Sequence, residues 1–240
     1  ETAPGSSAAL LENSGIPLPL IESNVVILGF NGAIAVHSGR ILYKKTLDPR
    51  VAREVLEFCH ACAAVNAAFF QDGRGLILHD SSWRHLYAAR LNIEIDVVED
   101  IGFDDICKIV VMSPGEEVAT KDNIDTFMAS KPAATVRAVT QWKDTGSPAE
   151  WLEVMSPDVN KGKAVRDLAA DLGVPLSQVA CFGDGMNDLE MLQIPEVLSV
   201  VIGESPYPEV RQAAVIEGNA CDAELPGVVQ ILSAILEDKI

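Results

Sequence analysis

Residues 179–192 read VACFGDGMNDLEML, and this stretch decides the fold. Its opening apolar residues, Val179 to Phe182, predict a short buried strand, and Asp188 to Leu192 predicts the start of a helix. A strand that passes directly into a helix is the repeating unit of an open α/β sheet. Ligands of such sheets bind outside the carboxyl ends of the strands, so the turn from Gly183 to Asp188 is a candidate binding site.

The turn itself has the residue types of a magnesium and phosphate site. Gly183 and Gly185 let the backbone turn sharply and approach a ligand closely, and free amides at a helix start favour an anion. The carboxylates of Asp184 and Asp188 suit Mg²⁺, which usually takes only one or two protein carboxylates and completes its shell with water and substrate phosphate. The alternative is an acidic glycine-rich turn in which Asp188 only caps a helix.

The α/β pattern continues on both sides of this turn. Upstream, Asn160 is the expected N-cap of a helix that ends at Gly173. Val25 to Phe30 predicts a strand that is buried on both faces and stopped by the turn formers Asn31 and Gly32. Downstream, alternating strand and helix signals cover residues 197–202, 208–214 and 227–236. These segments predict an α/β core.

The block between Gly39 and Met155 has a different pattern and predicts an α+β domain of its own. Its turn formers Asp144 to Pro148 lie between β-branched and aromatic residues, which is typical of a hairpin. The remaining signals predict strands at 41–46, 75–79 and 108–112 and helices at 49–64 and 83–91. Trp83, Trp142 and Trp151 are candidates for the floor of a sugar pocket, although core packing is the more ordinary role of large aromatic residues.

Composition and charge exclude several classes of partner. The 240 residues carry 18 Lys and Arg against 35 Asp and Glu, a formal charge of −17. Such a charge disfavours nucleic acid and anionic membrane surfaces, whereas a small anion still suits a locally positive site. The longest apolar runs are much shorter than a membrane span, and the N-terminal residues lack the pattern of a signal peptide.

The five cysteines are odd in number and scattered, which favours a reducing compartment such as the cytoplasm or the plastid stroma. Cys59 and Cys62 form a Cys-x-x-Cys, but no second pair completes a zinc site, and their helical surroundings predict core packing. The four histidines show no metal-ligand spacing either. The acidic turn is therefore the one candidate metal site.

The stretch 179–192 resembles the fourth motif of the haloacid dehalogenase superfamily, in particular that of the Cof-type sugar-phosphate phosphatases with a type IIB cap. Asn160-Lys161-Gly162-Lys163-Ala164 precedes it by one helix and one strand, as the family's Lys-Gly third motif does. Val25 to Ala33, VVILGFNGA, resembles the strand and turn that lead into the family's inserted cap. Downstream, Pro208-Glu209-Val210 and Gly227-Val228-Val229 are similar to its closing pattern. The resemblance covers nearly the whole chain.

The resemblance implies a fold and an activity. The fold is α/β, with a Rossmann-like parallel sheet core that is incomplete at its N-terminus, formed by residues 1–33 and 156–240, and an α+β cap domain at residues 34–155. The activity is Mg²⁺-dependent hydrolysis of a small phosphorylated metabolite, such as a sugar phosphate, through an aspartyl phosphate. Phosphoserine phosphatases carry a similar fourth motif, but their cap is usually smaller and inserted elsewhere.

By the same resemblance the candidate residues have roles. Lys161 neutralises charge on the transferring phosphoryl group, binds substrate and helps to hold the nucleophile, while Asp188 orients the loop and Lys161, so both are expected to be catalytic. Asp184 ligates Mg²⁺, and Asn187 hydrogen-bonds the substrate phosphate or the metal shell. The plainer alternative for Lys161 is a solvated lysine in the first turn of a helix.

The hinge of the cap is expected at Asn31 and Gly32, which the resemblance also assigns to substrate binding. Closing of the cap excludes water and strengthens the charges inside the site. An ordinary Asn-Gly turn is the alternative for Asn31.

One part of the family's pattern is missing from the chain. The family's nucleophile belongs to a first motif, a strand ending in Asp-x-Asp, and its second motif is a Ser or Thr on an apolar strand; both are expected upstream of Glu1. Residues 1–240 alone would then be inactive, with unpaired backbone groups left in the sheet. We therefore expect a fragment of a longer enzyme. The alternative is an inactive relative that acts as a binding or structural subunit, with a partner chain in the empty strand position.

Overall fold

The computed structural model describes residues 26–38, 40–62, 66–71, 74–91, 93–112, 126–127, 129–131, 137–141, 151–220 and 225–237. The chain divides into two units, residues 1–159 and 160–240. Helices and strands alternate in both units, so the predicted α/β class is confirmed. The assignment of residues 1–33 to the same domain as residues 156–240 stays a prediction.

The first described elements of the N-terminal unit form a small antiparallel sheet. Its strands, in spatial order, are β1 (Val26–Gly29), β2 (Ile34–His37) and β3 (Arg40–Lys44). One turn of 3-10 helix, Phe30–Gly32, joins β1 to β2, with Asn31 in the left-handed region at φ 58°. The prediction that β1 is buried on both faces is wrong. All four of its residues are half-buried, because the chain turns back at Gly32 and pairs β1 with β2 in a hairpin.

A six-stranded mixed sheet makes up the rest of this unit. Its elements are α1 (Pro49–Ala61), β4 (Asn66–Gln71), β5 (Arg74–Ile77), α2 (Ser82–Leu91), β6 (Ile95–Val97), β7 (Ile106–Met112), β8 (Arg137–Gln141) and β9 (Trp151–Met155). The spatial order is β6-β5-β4-β7-β9-β8, with β5 and β6 parallel and the other pairs antiparallel. Asp48 caps α1 by accepting from the backbone N–H of Arg50 at 2.8 Å, which places Pro49 at its first position.

Alternation along the strands gives each face of this sheet its own core. On one face Phe69 and Ile109 pack against α1. On the other face Phe70 packs with Trp83 and Tyr87 of α2. Trp83 is buried there, which confirms its ordinary role in the core of this block.

Most of the predicted elements of this unit are confirmed. The hairpin of β8 and β9 is present as an antiparallel pair, while its turn at residues 144–148 and Trp142 lie outside the described residues. The sequence patterns do not predict β2, β4 or β6. Strand β4 contains Ala67 and Ala68, which continue the alanine-rich sequence that begins at Ala61, and β6 has only three residues.

The C-terminal unit is a parallel sheet with helices between its strands. Its elements are α3 (Lys161–Leu172), β10 (Ala180–Gly183), α4 (Leu189–Leu192), β11 (Leu198–Ile202), α5 (Pro208–Ala213), β12 (Ile216–Gly218) and α6 (Gly227–Leu236). The strands pair in the order β10-β11-β12, all parallel, as helical crossovers require. Their carboxyl ends therefore share one edge of the sheet.

The predicted limits of α3 are confirmed. The Asn160 side chain accepts from the backbone N–H of Lys163 at 2.6 Å, and Gly173 ends the helix in the left-handed region at φ 66°. The three-residue strand β12 has no counterpart in the sequence patterns. Across the described ranges, no helix combines the length and the apolarity that crossing a membrane requires.

The cysteines of the described residues are free thiols. Cys59 of the Cys-x-x-Cys is buried in α1, so its predicted core packing is confirmed, and Cys62 is half-buried. Burial raises the pKa of the Cys59 thiol to about 12, with a further contribution from Cys62, and raises that of Cys181 to about 11. Both groups therefore stay protonated and poorly nucleophilic at neutral pH. Cys221 lies outside the described residues.

Candidate active site

The loop after β10 is shaped by its two glycines. It passes from Gly183 through one turn of 3-10 helix, Met186–Asp188, into α4. A Cβ atom on residue 183 would lie 2.4 Å from Cβ of Asp188, and one on residue 185 would lie 2.7 Å from Oδ1 of Asn187. At residue 183 this leaves no room for a side chain, so glycine there lets the loop fold tightly over Asp188. At residue 185 only the end of the Asn187 side chain would have to move aside.

Asp188 is at the centre of this loop. Its side chain is 5% exposed, and its Oδ1 accepts from Nζ of Lys161 at 2.5 Å. Its Oδ2 accepts from the backbone N–H groups of Asp184 and Gly185, both at 3.0 Å. Three donors, one of them charged, hold the carboxylate in a single orientation. A role as a simple helix cap does not account for the contact with Lys161.

Lys161 reaches Asp188 from the first position of α3. The Asn160 cap starts the helix at this residue and so sets the direction of the lysine side chain. That side chain is 33% exposed, so it is partly accessible to a ligand while its ammonium pairs with Asp188. An accessible ammonium held in place is a point charge suited to a phosphate group. Lys161 is therefore not a freely solvated lysine in the first turn of a helix, because its ammonium is bound to Asp188.

The glycine after Lys161, Gly162, allows α3 to approach α4 closely. A Cβ atom on residue 162 would lie 2.5 Å from the backbone oxygen of Glu190. The first turn of α3 therefore packs directly on the backbone of α4, and this close approach brings Lys161 to the loop.

Replacing Gly162 with alanine is expected to lower the Tm. The added methyl group forces α3 and α4 apart, and strain of this kind costs about 1–3 kcal/mol, with about 2–4 °C of Tm for each kcal/mol in a chain of this size. Gly102→Ala is the matched control, because a Cβ atom there meets nothing within 4 Å. Thermal unfolding followed by circular dichroism measures both variants. Equal Tm values for Gly162→Ala and wild type would contradict the close packing of the two helices.

Asp184 is exposed, in contrast to Asp188. Its backbone is bound on both sides, because its N–H donates to Asp188 and its carbonyl oxygen accepts from Oγ of Ser205 at 2.7 Å. Among the described residues, its carboxylate takes part in no hydrogen bond or ion pair. Asn187 is half-buried in the same loop. The structure thus brings together four of the predicted site residues, Lys161, Asp184, Asn187 and Asp188.

The donor chemistry of the loop fits Mg²⁺. This ion prefers carboxylate oxygens and keeps several waters and a substrate phosphate in its shell, so one or two protein carboxylates are enough. The Asp184 carboxylate is exposed, and the loop is held by hydrogen bonds that do not use it. In the part of the chain that the structure describes, no group of three or more His, Cys, Asp and Glu side chains is arranged to hold a metal ion. The loop would therefore supply part of a magnesium shell.

Two residues that hold this loop are missed by the sequence patterns. Ser205 follows β11, is 1% exposed and donates to the Asp184 carbonyl. Arg211 of α5 donates from Nη1 to the carbonyl oxygen of Ser205 at 2.7 Å. Ser205 could have been found from the topology of the sheet. It follows the strand next to β10, and loops at the carboxyl ends of neighbouring parallel strands lie at one edge of the sheet.

Asn31 and Gly32 belong to the N-terminal unit, where they make well-defined contacts. Nδ2 of Asn31 donates to Oε2 of Glu153 at 2.6 Å and lies 3.2 Å from Sδ of Met155. The hydroxyl of Tyr43 donates to the carbonyl oxygen of Gly32 at 3.2 Å. The contacts of Asn31 join the turn before β2 to β9, the last strand of the middle block, and the bond to Gly32 joins the same turn to β3. The hinge and substrate-binding roles of the two residues stay predictions.

Glu153 is in turn neutralised by a buried lysine. Nζ of Lys108 donates to Oε1 of Glu153 at 2.8 Å, and both side chains are almost completely buried. Burial by itself lowers the pKa of Lys108, but the Glu153 carboxylate and the Tyr87 hydroxyl raise it, and the resulting pKa lies above its ordinary value. Lys108 therefore stays charged at neutral pH and fixes the carboxylate that holds Asn31.

Known proteins resemble this chain in sequence and in fold. Residues 11–223 match the family model of the haloacid dehalogenase-like hydrolases. An HMP-PP phosphatase of Cronobacter sakazakii is 30% identical over 176 residues, 70% of this chain and 59% of that protein. A haloacid dehalogenase-like hydrolase of Bacteroides thetaiotaomicron has a TM-score of 0.75 at 18% identity, over 96% of this chain and 84% of that one. A subclass IIB sugar phosphatase has a TM-score of 0.71 at 17% identity, over 98% of this chain and 84% of that one.

Proposed function

The chain belongs to the haloacid dehalogenase-like hydrolases, and we propose that it forms part of a Mg²⁺-dependent phosphatase of small phosphorylated metabolites. Sugar phosphates are the first substrates to consider, because a neighbour in fold is a sugar phosphatase. A relative named as a phosphatase supports the same class of reaction. The free thiols support a reducing compartment, the cytoplasm or the plastid stroma.

The proposal depends on one observation, the convergence on Asp188 of the Lys161 ammonium and two loop amides beside the exposed Asp184 carboxylate. Lys161 thus supplies an ammonium, held by Asp188, at the loop that also carries a carboxylate suited to a metal ion. Phosphoryl transfer needs little covalent chemistry from the protein and is catalysed mainly by positioning and by neutralisation of charge.

Each residue of the loop has a part in this chemistry. Lys161 binds oxygens of the phosphoryl group with the donors that Asp188 leaves unused, and Asp188 keeps the ammonium in place. Asp184 would hold Mg²⁺, with Asn187 at the metal shell or the phosphate. When bound, Mg²⁺ would offset negative charge on the phosphoryl oxygens.

The remaining parts of the enzyme lie outside this loop. We assign the nucleophile to an aspartate that is not among these 240 residues, in the Asp-x-Asp strand that the family resemblance implies. Residues 34–155 would act as the cap, with Asn31 and Gly32 at its hinge and at the substrate. The contact between Asn31 and Glu153 supports the hinge, because it links the entry of this block to its last strand.

The test is a substrate panel assayed with the complete native chain in the presence of Mg²⁺. Hexose, pentose and glycerol phosphates are included together with phosphoserine, and released inorganic phosphate is measured. We expect hydrolysis of at least one sugar phosphate and little hydrolysis of phosphoserine. Hydrolysis of none of these esters would contradict the proposal and favour an inactive binding or structural subunit, which should then copurify with a stable partner.

A further inference from the structure

We propose that Ser205 is a positioning residue of the metal loop, acting through the backbone of Asp184. This inference rests on the proposed function, because it takes Asp184 as the residue that holds Mg²⁺. The observation behind it is a buried hydroxyl group that joins the loop after β11 to the loop after β10, 21 residues away in sequence.

Ser205 is itself held from several directions. Its backbone N–H donates to the carbonyl oxygen of Gly203 at 3.1 Å, and its carbonyl oxygen accepts from Arg211 at 2.7 Å. Its Oγ also accepts from the backbone N–H of Tyr207 at 3.3 Å. A hydroxyl has one proton to donate, and here the donor bond is the 2.7 Å contact with the Asp184 carbonyl oxygen. The bond therefore has a defined direction.

This bond completes the fixation of the Asp184 backbone. Asp188 accepts from the N–H of Asp184, and Ser205 donates to the carbonyl oxygen of Asp184. With both backbone groups bound, the exposed carboxylate is the part of Asp184 left to move. A ligand held in this way loses less conformational freedom on binding a metal ion, which raises the affinity.

The expected consequence is a change in metal affinity rather than in the chemical step. Partners that orient a metal ligand typically contribute about 10- to 100-fold to affinity, and we expect Ser205→Ala to weaken Mn²⁺ binding by about tenfold. Mn²⁺ serves as the probe because the electron paramagnetic resonance signal of the free ion reports binding without turnover. In the activity assay, the Mg²⁺ concentration for half-maximal rate should rise, while kcat at saturating Mg²⁺ stays within about twofold of wild type.

Ser199→Ala is a matched control from the same strand region. Ser199 is buried and makes the same pair of bonds, donating to the carbonyl oxygen of Ala213 at 3.1 Å and accepting from the N–H of Val215 at 3.2 Å. It lies near the amino end of β11, away from the candidate site. We expect its loss to lower the Tm as much as the loss of Ser205 does, with no change in Mn²⁺ affinity. Ser205→Thr keeps the hydroxyl and is expected to keep the affinity.

The outcomes separate this inference from the proposed function. If the complete native chain binds Mn²⁺ and Ser205→Ala binds it equally well, the positioning role is wrong and the phosphatase proposal is unaffected. Equal weakening by Ser199→Ala would likewise contradict it, since the effect would then be one of general stability. If wild type binds no Mn²⁺ at all, the proposed metal site fails first, and the inference fails with it.

Discussion

Asp188→Asn is expected to lower kcat/KM for phosphate release by about 10²- to 10³-fold. The two oxygens of Asp188 accept from Lys161 on one side and from two backbone N–H groups on the other. An amide has one oxygen, so its NH2 group would face either the ammonium or the two amides, and one side of the loop loses its acceptor. Lys161 also loses its carboxylate partner in this half-buried ion pair, so the Tm falls as well. Rates are therefore compared at a temperature where circular dichroism shows the variant to be folded.

The control for this variant is Asp167→Asn, which affects a second lysine–aspartate pair whose two members both lie on α3. Asp167 pairs with Lys163 at 2.7 Å, but both side chains are more than a third exposed. Pairs of that kind contribute about 0–1 kcal/mol, so Asp167→Asn should leave both rate and Tm nearly unchanged. A rate for Asp188→Asn equal to that of Asp167→Asn would show that Asp188 has no part in the reaction.

Asp184→Asn is expected to abolish most of the activity without loss of stability. A metal ion contributes several kcal/mol to phosphoryl transfer, and each 1.4 kcal/mol is a factor of ten, so a loss of at least about a hundredfold is expected. The Tm should stay near that of wild type, because the carboxylate is exposed and the backbone bonds of Asp184 do not depend on it. Initial rates and thermal unfolding on the same preparation measure both effects.

Glu196→Gln provides the comparison for the loss of an exposed carboxylate. Glu196 is exposed and lies before β11, at the amino end of the strands, opposite to the edge where the candidate site lies. The Glu196→Gln variant should retain full activity at every Mg²⁺ concentration. A loss of activity shared by both variants would point to net charge rather than to the metal loop.

The parts of the site that sequence predicts are those set by residues close together in the chain. The Asn160 cap, the Gly173 stop and the two glycines of the Asp184 loop are local features. The structure shows the cap and the stop as predicted, and it shows Gly183 at a point where a side chain would not fit. The contact between Lys161 and Asp188 also follows from the family resemblance. Its geometric basis, the packing of Gly162 on Glu190, becomes visible only in three dimensions.

The features that sequence does not predict depend on distant partners. The sequence does not distinguish Ser205 from the other serines, because its contact with the Asp184 carbonyl forms only when β10 and β11 pair. The bond from Asn31 to Glu153 joins residues 122 positions apart. Strand β4 begins with Asn66, Ala67 and Ala68, which do not favour a strand, and its position between β5 and β7 overrides that preference. In each case a residue distant in sequence determines the contact or the local conformation, and the local sequence pattern gives no prediction or the wrong one.

The measurement that tests the central claim most directly is phosphate release by the complete native chain, on its best substrate from the panel, before EDTA, in EDTA and after return of Mg²⁺. The account predicts that EDTA reduces the rate to background, and that Mg²⁺ restores it in wild type but not in Asp184→Asn. Full turnover in EDTA, or equal restoration in Asp184→Asn, would contradict the assignment of a catalytic magnesium ion to this loop.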